Sequence, residues 1–156
     1  ETAVKMPWGV LILFGGGLSL AAAVEANGVS AFIGQSARGL AVLPPFALLL
    51  AVVALTVFLS EVTSNTAQVA TMTPVLAAMA PALGLDPRML VIVCAIAASS
   101  AYMMPVGTPP NAIVFGTGLI RMPQMVRAGF VLNIAGILVI AALGWWLIPH
   151  IVAGRI

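Results

Sequence analysis

The chain has 156 residues, of which 62% are hydrophobic and 6% charged, and its formal net charge is +2. Soluble domains carry roughly a quarter of their residues charged, so an ordinary soluble fold is excluded and a polytopic membrane protein is indicated. The few basic residues are scattered, which excludes a nucleic-acid-binding patch.

Glu1 stands first, so a fragment, a processed chain or a trimmed form is expected, and no signal-peptide pattern opens the sequence. Residues 6–24 form an apolar run long enough to span, since a helix needs roughly 20 residues to cross about 30 Å of hydrocarbon. Within it, Gly15-Gly16-Gly17 offers a small-residue face for close helix packing. Residues 25–38, with Asn27-Gly28, Gln35, Ser36 and Arg38, read as a turn and a short interfacial helix. Residues 40–59 are apolar again, with Pro44-Pro45 near the start, where helices tolerate proline. A polar knot, Ser60-Glu61-Val62-Thr63-Ser64-Asn65-Thr66-Ala67-Gln68, follows. The helix expected over 67–83 contains Pro74 and Pro81, and Gly84-Leu85-Asp86-Pro87 is a turn. Residues 89–104 are apolar up to a second interruption, Pro105-Val106-Gly107-Thr108-Pro109-Pro110-Asn111, beyond which the run continues over 112–120. A polar connection over 121–127 leads to a clean span over 129–148, anchored at the interface by Trp145 and Trp146.

Cys94 is the single cysteine and reads as a small buried hydrophobe, not part of a disulfide or metal framework. The connection with Arg121 and Arg127 is the cytoplasmic candidate under the positive-inside rule. That places Lys5 inside as well, but Arg38, Arg88 and Arg155 outside, so the charge count is tied.

Two broken helices in a membrane protein are a usual way to build a substrate and ion site near the midplane, so transport is the expected activity. A helix ending near Ser60 and another beginning near Thr66 leave carbonyls free on one side and amides on the other. Ser64, Asn65 and Thr66 are helix-capping residues, and an anion sits well where amides and dipole both point at it. In the second break Gly107 frees the backbone, Pro109 and Pro110 offer no amide donors, and Asn111 is expected to open the next short helix. Freed carbonyls are hard oxygen ligands suited to Na⁺. Neither break contains Lys or Arg, so a bound anion must be balanced by dipoles and a co-bound cation. Periodicity alone leaves the alternative open that the knot is a water-exposed loop between two full spans and the Pro-Pro-Asn turn a plain kink. Glu61, beside apolar sequence, is expected to be functional or paired, its alternative being an interfacial acid.

Glu61 and Ser64-Asn65-Thr66-Ala67, together with Val106-Gly107-Thr108-Pro109-Pro110-Asn111-Ala112-Ile113-Val114-Phe115-Gly116, resemble the divalent anion/sodium symporter family, the Na⁺-coupled dicarboxylate, citrate and sulfate carriers. The resemblance extends over nearly the whole chain, including Phe14-Gly15-Gly16-Gly17. It implies an all-α polytopic fold: one inverted repeat of an elevator-type transporter, with a re-entrant hairpin and a discontinuous helix. Residues 1–38 would supply a scaffold helix and a linker helix. Residues 39–156 would form half of the transport domain, with the hairpin at 40–83, the broken helix at 87–120 and a final span at 123–149. By similarity Ser64, Asn65 and Thr66 would contact a substrate carboxylate, with Thr108 and Pro109 lining the same pocket. Ser60, Thr63, Asn65 and Gly107 would hold Na⁺ through side-chain and carbonyl oxygens. Thr63 and Gly107 depart from the family pattern, which often has alanines there.

The resemblance further implies a bacterial inner or plasma membrane location, a small anionic substrate (a di- or tricarboxylate or sulfate), a missing N-terminal repeat in the same or another chain, and a homodimer of the complete carrier. Sodium-free exchange and a non-transporting structural or assembly subunit are the alternatives. An enzyme is not expected: His150 lies past the last span, and Ser99-Ser100 have no base near them in sequence.

Overall fold

A computed structural model describes residues 42–152 without a break, together with scattered positions between 12 and 39. The span expected over 6–24 and the turn and interfacial helix expected over 25–38 therefore lie outside the continuously described residues, as do residues 40 and 41. From there the order is helix α1 (Pro45–Ser60), helix α2 (Asn65–Met79), a 3-10 turn (Ala80–Leu83), helix α3 (Pro87–Ala98), helix α4 (Pro109–Gly116) and helix α5 (Met122–Val152). Among the described residues there is no strand.

The ends of these helices follow from local chemistry. Pro45 occupies the first position of α1, where its missing N–H costs nothing. The 3-10 turn after α2 closes on Gly84, whose φ of 69° is the left-handed conformation that glycine adopts freely. The Leu85 amide then donates to the Ala80 carbonyl at 3.0 Å and the Gly84 amide to Pro81 at 3.2 Å, a Schellman closure. Asp86 caps α3, accepting from the Arg88 amide at 2.8 Å, and the Arg88 guanidinium beside it holds its carboxyl below the usual range. At α5 the Arg121 amide donates back to the Gln124 side chain at 2.9 Å, so the helix starts at Met122. Arg127 thus lies within the last helix, not in a connecting loop.

The central helix is α3, with α1, α2 and α5 around it. Leu49, Val53 and Val57 of α1 meet Leu90, Val93, Cys94 and Ala97 of α3 and Ile137 and Ala141 of α5 in one apolar core. Phe46 packs edge-on against Trp145 and Phe58 against Phe130, so α1 and α5 run antiparallel. At Gly144 a Cβ would come within 2.6 Å of Val93 Cγ2, which brings α3 and α5 into close approach there.

The discontinuous helix differs in register from its sequence reading. Helix α3 stops at Ala98, several residues before the expected Met104, and α4 runs Pro109–Gly116, not 112–120. Two causes act at the first end. The hydroxyls of Ser99 and Ser100 bond back to the carbonyls of Ala95 and Ile96, and the amides of residues 102–104 find a partner outside the helix. At the second end, Pro109 and Pro110 fill the first helical turn, and Asn111 lies inside α4 instead of opening it. At 1.5 Å per residue α3 spans ~18 Å and α4 ~12 Å, so neither half alone crosses a bilayer.

Two apolar helical stretches, Asn65–Leu83 and Met122–Val152, are long enough to cross a membrane.

Candidate functional site

The two polar interruptions meet. Glu61, 4% exposed, lies one residue past the end of α1 and points into the unwound stretch after α3. One carboxylate oxygen, Oε1, accepts from the amides of Tyr102 at 2.9 Å and Met103 at 3.0 Å. The other, Oε2, accepts from Met103 at 3.1 Å and Met104 at 2.9 Å. Asn133 Nδ2, from α5, adds a donor to Oε1 at 2.6 Å. The unwound residues that follow have amides with no intrahelical acceptor, and here one carboxylate satisfies three in succession. Glu61 is therefore paired, as one of its two sequence readings required, and its partner is backbone.

Three oxygens converge on the inner side of the knot. Gln68, 5% exposed, donates from Nε2 to the Thr56 carbonyl at 2.8 Å. Its Oε1 lies 3.1 Å from Ser60 Oγ and 3.0 Å from Thr63 Oγ1. Each hydroxyl has one proton, shared with the carbonyls of Thr56 at 2.7 Å and Leu59 at 2.8 Å. Gln68 thus ties the end of α1 to the start of α2. Among the described residues, no hydrogen bond reaches the carbonyls of Ser60, Glu61, Val62 or Thr63, nor those of Pro105, Val106 or Gly107.

Ser64 caps α2, its hydroxyl facing the Ala67 amide at 3.5 Å, and Asn65 and Thr66 open the helix. Asn65 Oδ1 is a buried oxygen without a hydrogen-bond partner among the described residues. Asn65, Thr66, Val69 and Ser99 line a small hollow of about 220 Å³. Ser99 supplies a hydroxyl from the end of α3, a contribution that no sequence pattern marks. Thr108 and Pro109 do not line this hollow; they stand at the start of α4, where the Thr108 side chain makes no capping bond. Gly107 is buried against Glu61: a Cβ there would lie 3.2 Å from Ala101 Cβ, 3.3 Å from the Met104 carbonyl and 3.4 Å from Glu61 Oε2. Any side chain at 107 crowds this junction.

The second break is held open by its own residues as well. Asn111 Nδ2 reaches back to the carbonyls of Ala101 at 2.9 Å and Met104 at 3.0 Å. In α5, Asn133 Oδ1 accepts from the Tyr102 amide at 3.2 Å. Gln68 belongs to the knot, but its sequence position assigns it no role. Asn133 is marked in the sequence only as a lone amide inside an apolar span.

The arrangement presents freed carbonyls, hydroxyls, an orphaned amide oxygen and a helix N-terminus, with no basic side chain in either break. Among the described residues there is no cluster of His, Cys, Asp and Glu that would hold a transition metal. Hard, neutral oxygens of this kind suit an alkali cation.

Comparison with known proteins adds direct relatives. The family model for the sodium:sulfate symporter transmembrane region matches residues 2–152. A Staphylococcus saprophyticus protein named sodium-dependent dicarboxylate transporter SdcS is 42% identical over 151 residues, covering 97% of this chain and 29% of that protein. Proteins of the same name from Staphylococcus aureus strains MRSA252 and NCTC 8325 are 41% identical over 149 residues, again covering 29% of their length. The chain thus spans under a third of the curated relatives it matches.

Proposed function

The chain belongs to the divalent anion/sodium symporter family, and on that premise we propose that it is the C-terminal part of a sodium-coupled carrier for divalent anions, with a dicarboxylate as substrate. The observation that carries this reading is the junction of the two breaks: Glu61 fastened to the amides of residues 102–104, with the carbonyls of both breaks left free around it. An external loop has no reason to bury its carboxylate in the backbone of another broken helix. That junction weighs against the structural-subunit alternative, and the family assignment speaks against an enzyme.

Asn65 Oδ1, the carbonyls of Ser60 and Thr63 and the carbonyl of Gly107 are the oxygens suited to Na⁺. When bound, the ion supplies the positive charge that neither break contains. Ser64, Asn65 and Thr66 hold the anion at the start of α2, where amides and dipole favour negative charge. Ser99 closes one side of that hollow, and Thr108 and Pro109, which stand outside it at the start of α4, join the pocket only in the complete carrier. Nothing in these groups separates a dicarboxylate from citrate or sulfate, and the dicarboxylate is preferred because the SdcS relatives are named for it.

In this reading α1 and α2 form a re-entrant hairpin. Support comes from the first arm alone: α1 has 16 residues, or ~24 Å, short of a hydrocarbon core of about 30 Å, while the second arm, Asn65–Leu83, has length enough to span. The hairpin, the broken helix α3–α4 and α5 make up half of a transport domain that moves by alternating access, the elevator reading. A second repeat, in the same or another chain, completes the pocket, and the full carrier forms a homodimer in the plasma membrane.

Hairpin topology has a direct test in the full-length carrier. Cysteines at residues 42 and 86, both accessible, are expected to label from the same face, and Val62→Cys, at the exposed tip, to be protected when Na⁺ and succinate are both present. Unchanged Val62→Cys labelling under saturating ligand makes the tip an ordinary loop.

Coupling is tested by titrating succinate into the purified full-length carrier in sodium and in choline buffer. Each ligand is expected to raise affinity for the other by the same factor, as linkage requires. Equal succinate affinity in the two buffers rejects the coupling and favours exchange.

A further inference from the structure

We propose that Asn133, on the last helix and outside both breaks, is a positioning residue that sets the geometry of the cation site. The inference rests on the transporter reading above and adds to it a contribution from α5. Asn133 is fully buried, and both ends of its amide are engaged: Nδ2 with Glu61 Oε1 at 2.6 Å, and Oδ1 with the Tyr102 amide at 3.2 Å. It touches no group assigned to ion or anion. Its two partners belong to the two breaks, one to each.

A displacement of Glu61 reaches the cation ligands in both directions. Glu61 follows Ser60 directly and precedes Thr63 and Asn65 in the same short tip. Across the junction its Oε2 lies 3.4 Å from where a Cβ on Gly107 would stand, and it holds the amides of Met103 and Met104. One turn before Asn133, Gly129 lies so close to Tyr102 that a Cβ would collide with the Tyr102 carbonyl and Met103 Cα. The backbone of α5 therefore abuts the unwound stretch at the level where Asn133 reaches across. Below this level the same face of α5 is plain packing, with Ile137, Ala141 and Ile148 in or beside the apolar core. Asn133 is the polar member of that buried row, placed where the row meets the site.

The consequence is mechanical. The hairpin tip, the unwound turn and the last helix are one hydrogen-bonded block, so the oxygens around the ion keep their spacing only while α5 stays in register. Rearrangements that carry substrate across the membrane then fall between this block and the rest of the carrier, not within it.

The test uses Asn133→Leu in the full-length carrier, with sodium titrations of succinate uptake. Leucine keeps the number of side-chain heavy atoms, favours the helix more than asparagine does and removes both polar contacts, while Glu61 retains its three backbone donors. The half-saturating Na⁺ concentration is expected to rise severalfold and by no more than about tenfold, because only the part of the lost hydrogen bond that differs between the ion-free and ion-bound states reaches the affinity. Maximal uptake at saturating Na⁺ is expected to stay near the parent value per folded carrier. A merely structural role predicts the opposite pattern, lower maximal uptake with unchanged sodium dependence, and that result overturns the proposal. Asn133→Ser, which keeps a small donor, is expected to lie between parent and Asn133→Leu. If neither variant folds, Asn133 is structural only and the proposal falls as well. A parent carrier with sodium-independent uptake overturns the transporter reading itself, whereas a sodium-dependent parent with an unaltered Asn133→Leu titration overturns only this inference.

Discussion

Asn65→Asp in the full-length carrier is expected to abolish succinate transport while leaving the protein folded and able to bind Na⁺. The substitution keeps the shape of the side chain, exchanges an NH₂ donor for an oxygen acceptor and adds a negative charge at the start of α2. For the anion this removes a hydrogen bond to a charged group, roughly 1.5–3 kcal/mol, and adds like-charge repulsion of about 4 kcal/mol at contact distance and surface-like dielectric. A co-bound cation offsets part of that, and a loss of more than about a thousandfold in anion affinity remains. Folding is spared for a specific reason: an acid in the first turn of a helix is favourable, by about 0.3–1 kcal/mol. Sodium binding is spared because Asn65 Oδ1, a buried oxygen without a partner, becomes a carboxylate oxygen that still suits the ion. Thr108→Ala provides the scale: Thr108 stands at the start of α4 outside this hollow, and losing its hydroxyl is expected to cost no more than roughly 0.5–1.5 kcal/mol and to leave measurable transport. Isothermal titration with succinate and with Na⁺ separately, alongside uptake in vesicles, checks each part. Transport at the parent rate by Asn65→Asp removes the anion site from the start of α2.

Much of this site is legible in the sequence, because its chemistry is written in residue types that are out of place in apolar runs. Ser60-Glu61 and Ser64-Asn65-Thr66 announce a helix end and a helix start, and α1 and α2 stop and begin there. Gly107 and Pro109-Pro110 announce the second interruption, and α4 begins at Pro109. The extent of that interruption is not legible. Residues 99–104 contain Ala, Ser, Tyr and Met, all compatible with a continuing helix, and they leave it because Glu61, some forty positions away, offers their amides a better acceptor. A tertiary hydrogen bond overrides local preference, and hydropathy cannot see it. The same limit hides Asn111, which reads as a helix opener but spends its side chain on the carbonyls of Ala101 and Met104. It also hides Gln68, whose amide bridges Thr56, Ser60 and Thr63 only because the chain turns back on itself. Polar residues thus disclose that a site exists, and the fold decides which of them face a ligand and which hold the backbone.

Glu61 falls in the second class, which makes its replacement the severest structural change expected in this chain. Glu61→Ala removes the acceptor of three backbone amides and of Asn133 Nδ2 in a buried setting. Each stranded donor costs about 1–3 kcal/mol, and removing one partner from a buried charged cluster typically costs about 3–5 kcal/mol. Against a whole-protein stability of roughly 5–15 kcal/mol, that is enough to lower the yield of folded carrier sharply. Glu61→Gln is expected to be intermediate. Its oxygen, placed at Oε1, still accepts from Tyr102, Met103 and Asn133, but its NH₂ then faces the Met104 amide, donor against donor. An interfacial acid in water predicts a different order, with Gln and Ala both near the parent. Thermal unfolding of the detergent-solubilised carrier, followed by size-exclusion fluorescence, separates the two cases: a stability order of parent above Gln above Ala supports the amide-bound carboxylate. Three superimposable melting curves mean that the breaks are not joined through Glu61, and the rigid block of hairpin tip, unwound turn and last helix then has no fastening.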